Sequence, residues 1–276
     1  MGVLALEALQ PANEREILGY LSRAPYDNVF VHWLIQSRAV VRTGGEVVAA
    51  RSAAGSIEGV CYFGPQVVPC AQDDAALEAF AEYACDAPQP NMIVGPKAAV
   101  DGFWQRARTR WRSPRVTRSS QPVYALDRAH LGGSRRDAAV ERAGPDELDE
   151  IAENSRQMFL TEIGISPGRA PSDYRERTRR ILEAGWWWRC RSGGRLVFQC
   201  NVGSQTPYTA QIQGVWTPPA ERGQGHATRA MGAICDHLLD ENATLCLFVN
   251  AFNTSAIALY ERLGFFRAGE FASVLF

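Results

Sequence analysis

The residues best suited to chemistry lie in one glycine-containing loop of the second half of the chain. A strand-like run ends at Pro218 and Pro219, and the loop after it leads directly into an amphipathic helix pattern. A helix N-terminus presents backbone N–H groups without acceptors, and its dipole favours a phosphate or pyrophosphate. Gly223 and Gly225 permit close approach and positive φ, and Arg222 adds a cation. The loop predicts either an anion site or a tight turn that only starts a helix.

Two common nucleotide motifs are excluded at this loop. No Gly-Lys-Ser or Gly-Lys-Thr follows the glycines, as a Walker A loop requires, and a dinucleotide fingerprint would need glycine where Thr228 stands. The loop alone therefore does not identify the anion, and the sequence after it has to be considered.

A second motif follows, consisting of Asn-x-x-Ala, a tyrosine four residues on and then Gly-Phe; it is carried by Asn253, Ala256, Tyr260, Gly264 and Phe265. In the loop, Arg222, Gly225 and Ala227 match the pattern Gln/Arg-x-x-Gly-x-Gly/Ala. Both motifs, in this order, resemble the GNAT superfamily of acyl-CoA-dependent N-acyltransferases. The motifs cover about residues 205–270, and the resemblance implies that the fold of this family extends from about residue 137 to residue 276.

The resemblance implies acetyl-CoA as the acyl donor and assigns a role to each motif. The N–H groups that would hold the CoA pyrophosphate, beside Arg222, belong to Gly223, Gln224, Gly225, His226, Ala227 and Thr228. The backbone of Val215, Trp216 and Thr217 would pair with the pantetheine arm, and an N–H near Val215 would polarise the thioester carbonyl. Asn253 and Ala256 would contact the arm from the opposite side. Tyr260 would be the general acid that protonates the departing thiolate, or else a packing tyrosine.

The general base is not assigned by the motifs. Many family members place a glutamate on the strand before the loop, but residues 208–217 contain only Gln211 and Gln213 as polar long side chains. Glu162, between the first two helices of this half, is a candidate for the base; the alternative is a solvated acid at a helix end. The resemblance thus implies direct transfer of acetyl to a primary amine, with the acceptor open among aminoglycosides, amino acids, polyamines and protein amines. A non-catalytic acyl-CoA-binding sensor or regulatory module is the alternative.

Composition excludes several classes of protein. The apolar fraction of 46% is typical of a globular protein. A net charge of −1, from 29 basic and 30 acidic residues, argues against nucleic-acid binding, so the arginines of 106–118 are interpreted as a solvated helix end. The charge-free stretch 196–220 contains asparagine, glutamine and proline, which argues against a membrane span. Seven cysteines without a Cys-x-x-Cys pair indicate free thiols, no metal and a cytoplasmic location. The oligomeric state stays open.

The chain is predicted to contain two similar halves. A small, polar and charged segment around residues 132–137 predicts a boundary, with a degenerate domain of unknown role over 1–135 and the catalytic domain over 136–276. In the second half the patterns predict helices over 146–158, 171–184, 225–239 and 255–263, with strands over 186–191, 195–202, 208–217 and 245–249 and terminal strands over 265–276. In the first half they predict strands over 47–52, 57–63, 66–70, 92–94 and 123–126, with helices over 73–85 and 100–111.

The predicted fold class is α/β (mixed α+β). The resemblance makes it a pair of tandem GNAT-like folds, each a mixed, mostly antiparallel sheet flanked by helices. The first half lacks a phosphate loop, because Asp73 and Asp74 follow its third strand where an anion would bind. It is therefore not expected to hold CoA in the manner of the second half.

Overall fold

The computed structural model describes residues 4–132, 139–163 and 171–276, and its two halves contain the same order of elements except for one additional short helix, α3, in the first. The elements of the first half are β1 Ala5–Ala8, α1 Glu14–Leu21, α2 Val29–Gln36, α3 Ala39–Arg42, β2 Glu46–Arg51, β3 Ile57–Phe63, β4 Gln66–Ala71, α4 Asp74–Cys85, β5 Met92–Pro96, α5 Lys97–Ala107 and β6 Val116–Asp127. Those of the second are β7 Val140–Arg142, α6 Leu148–Ile163, α7 Pro171–Glu183, β8 Trp187–Ser192, β9 Arg195–Gln205, β10 Ala210–Trp216, α8 His226–Glu241, β11 Thr244–Phe248, α9 Thr254–Arg262 and β12 Phe266–Leu275.

All twelve of these strands form one continuous sheet with the order β1-β2-β3-β4-β5-β12-β6-β11-β10-β9-β8-β7. The pairs β4–β5 and β10–β11 are parallel and every other pair among the described residues is antiparallel. Helices cover both faces, because the buried side chains of α1 and α2 form one apolar cluster and those of α4 and α5 form another. The predicted fold class, mixed and mostly antiparallel with flanking helices, is confirmed.

The two halves exchange their last strands. Strand β12 of the second half lies between β5 and β6 of the first, and β6 lies between β12 and β11. A chain of buried hydrogen bonds connects the two halves where these strands meet. The Ser273 hydroxyl donates to the Gln121 side chain, and the Gln121 amide donates to the Asn250 side chain at 3.0 Å. The site in the second half is consequently backed by a strand of the first.

Several sequence predictions were wrong in extent. Helix α5 covers Lys97–Ala107 and not 100–111, and β6 begins at Val116, so that part of the arginine-rich run lies on a strand. The first half of β6 consists mostly of polar residues that are alternately exposed and half-buried. A search for apolar residues therefore does not predict this part of the strand. Residues 265–276 supply one strand and not several. Trp104 and Trp111 pack on the Phe276 ring with centroid distances of 5.4 and 5.8 Å, so they serve as packing residues.

Residues 4–132, 139–163 and 171–276 contain neither a membrane-spanning helix nor a cluster of metal-ligating side chains. None of the helices there has the length and apolarity needed to cross a membrane. Within those ranges, three or more His, Cys, Asp or Glu side chains do not converge as a metal ion would require. The predicted boundary at 135/136 falls in 133–138, outside the described residues.

Candidate active site

Strands β10 and β11 open into a wedge at the carboxyl end of the sheet. They pair with each other only at Ala210 with Leu245 and at Gln211 with Cys246. Beyond these two positions β10 and β11 are no longer paired with each other. On its other side, β10 pairs with β9 with two register shifts. The edge of β10 that faces the wedge therefore offers backbone donors and acceptors to an extended ligand.

The second register shift is a bulge centred on Gly214. Its φ is +63°, and a Cβ atom there would lie 2.5 Å from the Asn201 side-chain oxygen, so only glycine fits. Val215, the next residue, has no register partner on β9 or β11. Its backbone N–H is the group to which the family resemblance assigns the thioester carbonyl, and that assignment stays a prediction. Gly214 was not singled out by the sequence analysis, although a glycine inside a strand pattern is itself a signal of a bulge.

Helix α8 begins without a side-chain cap. Its N-cap residue, Gly225, has φ +77° and offers no side chain to the first turn, and Gly223 has φ +76°. The N–H groups of the first helical turn have no intrahelical acceptor; they belong to His226, Ala227 and Thr228. The predicted left-handed glycines are confirmed, and the arrangement leaves room and donors for an anion.

Two guanidinium groups flank this helix end. Arg222 lies over the Trp216 ring at 4.6 Å from its centroid and donates to the Thr217 carbonyl at 3.1 Å. Arg229, one turn into α8, donates to the Gln224 carbonyl at 3.3 Å, and a Cβ on Gly225 would lie 2.9 Å from its Nη1. Arg229 was missed by the sequence analysis, although its spacing of four residues from Gly225 places it over the loop.

A buried carboxylate underlies the loop on the other side. Glu221 is 7% exposed, pairs with Arg195 at 3.1 Å and lies 4.0 Å from the His226 ring nitrogen. The other ring nitrogen of His226 lies 3.2 Å from the Arg229 guanidinium. These contacts hold the first residue of α8 and its second cation in fixed positions before any ligand binds.

An acyl-CoA fits the donor groups of this site. The Trp216 indole N–H, at the end of β10, is buried and has no hydrogen-bond partner among the described residues. The glycine-lined helix end matches a diphosphate, since a Cβ on Gly225 would fill the cradle. The open edge of β10 matches a chain of amides such as pantetheine, which donates and accepts backbone-like hydrogen bonds.

Asn253 and Ala256 act first as a helix cap. The Asn253 side-chain oxygen accepts from the Ala256 N–H at 3.2 Å and from the Ser255 hydroxyl at 3.1 Å. The Asn-x-x-Ala spacing is thus that of an N-cap on α9. Only the Asn253 amide nitrogen, which has no partner among the described side chains, is left to contact a CoA arm.

Tyr260 is buried on α9, with rings of both halves around it. Its centroid lies 5.7 Å from Phe265 and 6.3 Å from Tyr124, which β6 brings from the first half. The Tyr124 hydroxyl donates to Glu261 at 2.8 Å and so fixes the neighbour of Tyr260. Both sequence interpretations of Tyr260, general acid and packing residue, are compatible with this environment.

The face of β9 and β10 beside α6 is lined by amides. The Gln213 amide donates to the Gln211 oxygen at 2.9 Å, and Gln199, fully buried, donates to Ser155 at 3.0 Å. Glu162 lies in the last turn of α6, and its side chain is outside the described residues. The assignment of a base to Glu162 therefore stays a prediction.

Residues 152–265 match the Acetyltransferase (GNAT) family, and residues 45–151 match a domain of unknown function, DUF4081. The second half thus carries a match to a GNAT acetyltransferase domain over residues 152–265, as its motifs indicated.

Solved structures show the same fold at low sequence identity. A Drosophila protein superposes with a TM-score of 0.71 at 11% identity, covering 100% of this chain and 99% of its own. An acetyltransferase of the GNAT family from Colwellia psychrerythraea gives 0.62 at 11% identity, covering 99% of both chains. A tandem GNAT protein from the clavulanic acid biosynthesis pathway gives 0.57 at 13% identity, covering 99% and 98%. A comparison with curated proteins gave no match.

Proposed function

We propose that the second half transfers an acyl group, acetyl in the first instance, from CoA to a primary amine. The observation that carries the proposal is the uncapped, left-handed start of α8 at the mouth of the wedge, between Arg222 and Arg229. A helix end of this kind favours a diphosphate, and two guanidinium groups add charge-assisted hydrogen bonds. Acyl-CoA supplies an activated thioester carbonyl carbon.

The residues of the chain divide the proposed reaction among them. The Val215 N–H stabilises the charge that develops on the carbonyl oxygen when the amine nitrogen attacks the carbonyl carbon. The carbon–sulfur bond then breaks, and Tyr260 gives its phenolic proton to the thiolate. The amine gives up one proton to a base, for which Glu162 is the candidate. The amide and the free CoA thiol leave, and the proton held by the base returns through solvent to the Tyr260 phenolate, which restores both groups.

The amide lining of β10 favours one alternative function. Gln211 and Gln213 are hydrogen-bonded to each other where a carboxylate would accept the amine proton. A non-catalytic acyl-CoA sensor would bind the donor in the same wedge without releasing thiol to any amine. The two functions therefore differ in turnover and agree in binding.

The first experiment is a thermal melt of the full chain with and without acetyl-CoA. A ligand at about 100 times its Kd stabilises the folded state by about 2.7 kcal/mol, a shift of about 5–10 °C for a domain of this size. Gly225→Glu places a carboxylate in the anion cradle and should remove the shift. Gly185→Glu is the matched control, because Gly185 also has positive φ, +69°, with open space around it and no part in the site.

A second experiment separates enzyme from sensor. Release of free thiol from acetyl-CoA is followed with a panel of amines, for the wild type and Tyr260→Phe. The proposal expects turnover with at least one amine and a loss of about 100-fold or more in Tyr260→Phe. Donor-dependent stabilisation without thiol release favours the sensor. Without any shift in the first experiment, both functions are wrong.

A further inference from the structure

The first half contains a cavity of about 330 Å³ at the position that corresponds to the wedge of the second half. The end of α1 and the loop after it form one wall, and the ends of β4 and β5 with the start of α4 form the other. Strands β4 and β5 pair only at Gln66 with Met92 and at Val67 with Ile93, as their counterparts do. Its volume is within the range of small-molecule sites, about 300–1,000 Å³.

The charges that line this cavity are opposite to those of the acyl-CoA site. Three carboxylates, of Asp27, Glu58 and Asp73, face one cation, Arg23. The Asp73 side chain accepts from the Ala76 N–H at 2.9 Å and so occupies the start of α4. An anionic ligand is therefore repelled at the place where the second half attracts one.

Asp27 is the group that the fold does not explain. Its carboxylate is half-buried and has neither a hydrogen bond nor an ion pair within residues 4–132, 139–163 and 171–276. Burial raises the pKa of the Asp27 carboxyl, because water is lost and no partner replaces it. The Asp27 oxygen also lies 3.3 Å from where a Cβ on Gly269 would be, so β12 closes the cavity behind it. An unpaired buried carboxylate costs free energy that a bound cation would offset.

We infer that this cavity binds a small organic amine as its ammonium ion, with Asp27 as the ionic partner. The Tyr20 ring forms part of the wall; its hydroxyl donates to the Glu58 carbonyl at 3.2 Å, and the Arg23 guanidinium lies over the ring at 5.5 Å from its centroid. The site is separate from the proposed acyl-transfer site and requires no acyl-CoA.

The test is isothermal titration calorimetry of the full chain without acyl-CoA. The probes are putrescine and tyramine, each compared with its uncharged analogue, butanediol and tyrosol. The inference expects at least one amine to bind and its analogue not to bind. Asp27→Asn should weaken that binding at least tenfold, while Arg23→Gln, which removes a positive charge from the lining of the cavity, should strengthen it severalfold. Asp86→Asn, an exposed acid at the end of α4, is the control that should change nothing.

Gly225→Glu and Tyr260→Phe separate this site from the second half, and both should bind the amine as the wild type does. The inference is overturned if neither amine binds, if an analogue binds as well as its amine, or if Asp27→Asn leaves binding unchanged. Asp27→Asn keeps the shape of the side chain and removes an unpaired charge, so it is expected to fold. If its melt shows that it does not, the Arg23→Gln result decides, because Arg23 is exposed.

Discussion

The two strand-to-helix junctions of this chain occupy equivalent positions and differ in every feature that an anion would need. At the β10–α8 junction the strand is bulged, the cap is a left-handed glycine and two arginines flank the helix end. At the β4–α4 junction, β4 pairs with β3 without a register shift and Asp73 caps the helix with its own carboxylate. One fold can therefore keep a cleft between two splayed strands while a few side chains at the helix start change its charge from one that attracts an anion to one that repels it.

The largest expected effect comes from removing the bulge glycine. Gly214→Val forces a β-branched residue to φ +63° and places its Cβ 2.5 Å from the Asn201 oxygen. We expect a loss of about 2–4 kcal/mol in the free energy of unfolding and no acyl-CoA-dependent shift. Chemical denaturation measures the first and a thermal melt the second. Gly185→Val carries the same kind of φ strain, +69°, in open space and should lose less. Equal losses would contradict a special role of the bulge.

A smaller effect is expected at the second cation. Arg229→Gln keeps a polar side chain, although a shorter one, and removes one charged donor at the helix start. Acetyl-CoA binding should weaken about tenfold, or about 1.4 kcal/mol, with KM raised and kcat little changed. Binding is measured by calorimetry at a fixed salt concentration. The control is Arg262→Gln, on an exposed position of α9; a matching loss there would mean that only net charge is involved.

The carboxylate cap of the first junction provides the converse prediction. Asp73→Ala removes the acceptor of the Ala76 N–H and should lower the free energy of unfolding by about 1 kcal/mol. Acetyl-CoA-dependent stabilisation should be unchanged, because the second half provides that site. Asp74→Ala is the control, since Asp74 is exposed and its pair with Arg106 is a surface ion pair. A change in the acetyl-CoA shift with Asp73→Ala would break the division of roles.

The smallest effect concerns the pH dependence that Asp27 causes. Folding raises the pKa of the Asp27 carboxyl above 3.8, its ordinary value, so the folded state binds this proton more tightly than the unfolded state does. The free energy of unfolding therefore falls as the pH rises above 3.8. Asp27→Asn should therefore gain stability over the wild type between that pH and neutrality and show no gain well below it. Urea unfolding of both proteins across this range measures the difference. A gain that is the same at every pH would contradict the assignment to ionisation.

The sequence analysis predicted the glycine loop and the start of α8 because their signals are local. Gly225 starts a helix at positive φ, and a glycine followed by an amphipathic pattern predicts this without knowledge of distant contacts. The hairpin at Gly193 and Gly194 is predicted for the same reason. The exchange of β6 and β12 was not predicted, because strand partners far apart in sequence leave no periodic signal. Asn253 was assigned to ligand binding, whereas its side-chain oxygen caps α9.

The exchanged strands also set the order in which the chain can finish folding during synthesis. Strand β5 has β12 as its neighbour, so its edge stays unpaired until Phe266–Leu275 has left the ribosome. The first half is made first, yet its sheet is closed by a strand of the second half. Until β12 is synthesised, the exposed edge of β5 has to be protected from pairing with other chains. A chain that stops short of β12 would leave both halves incomplete at once.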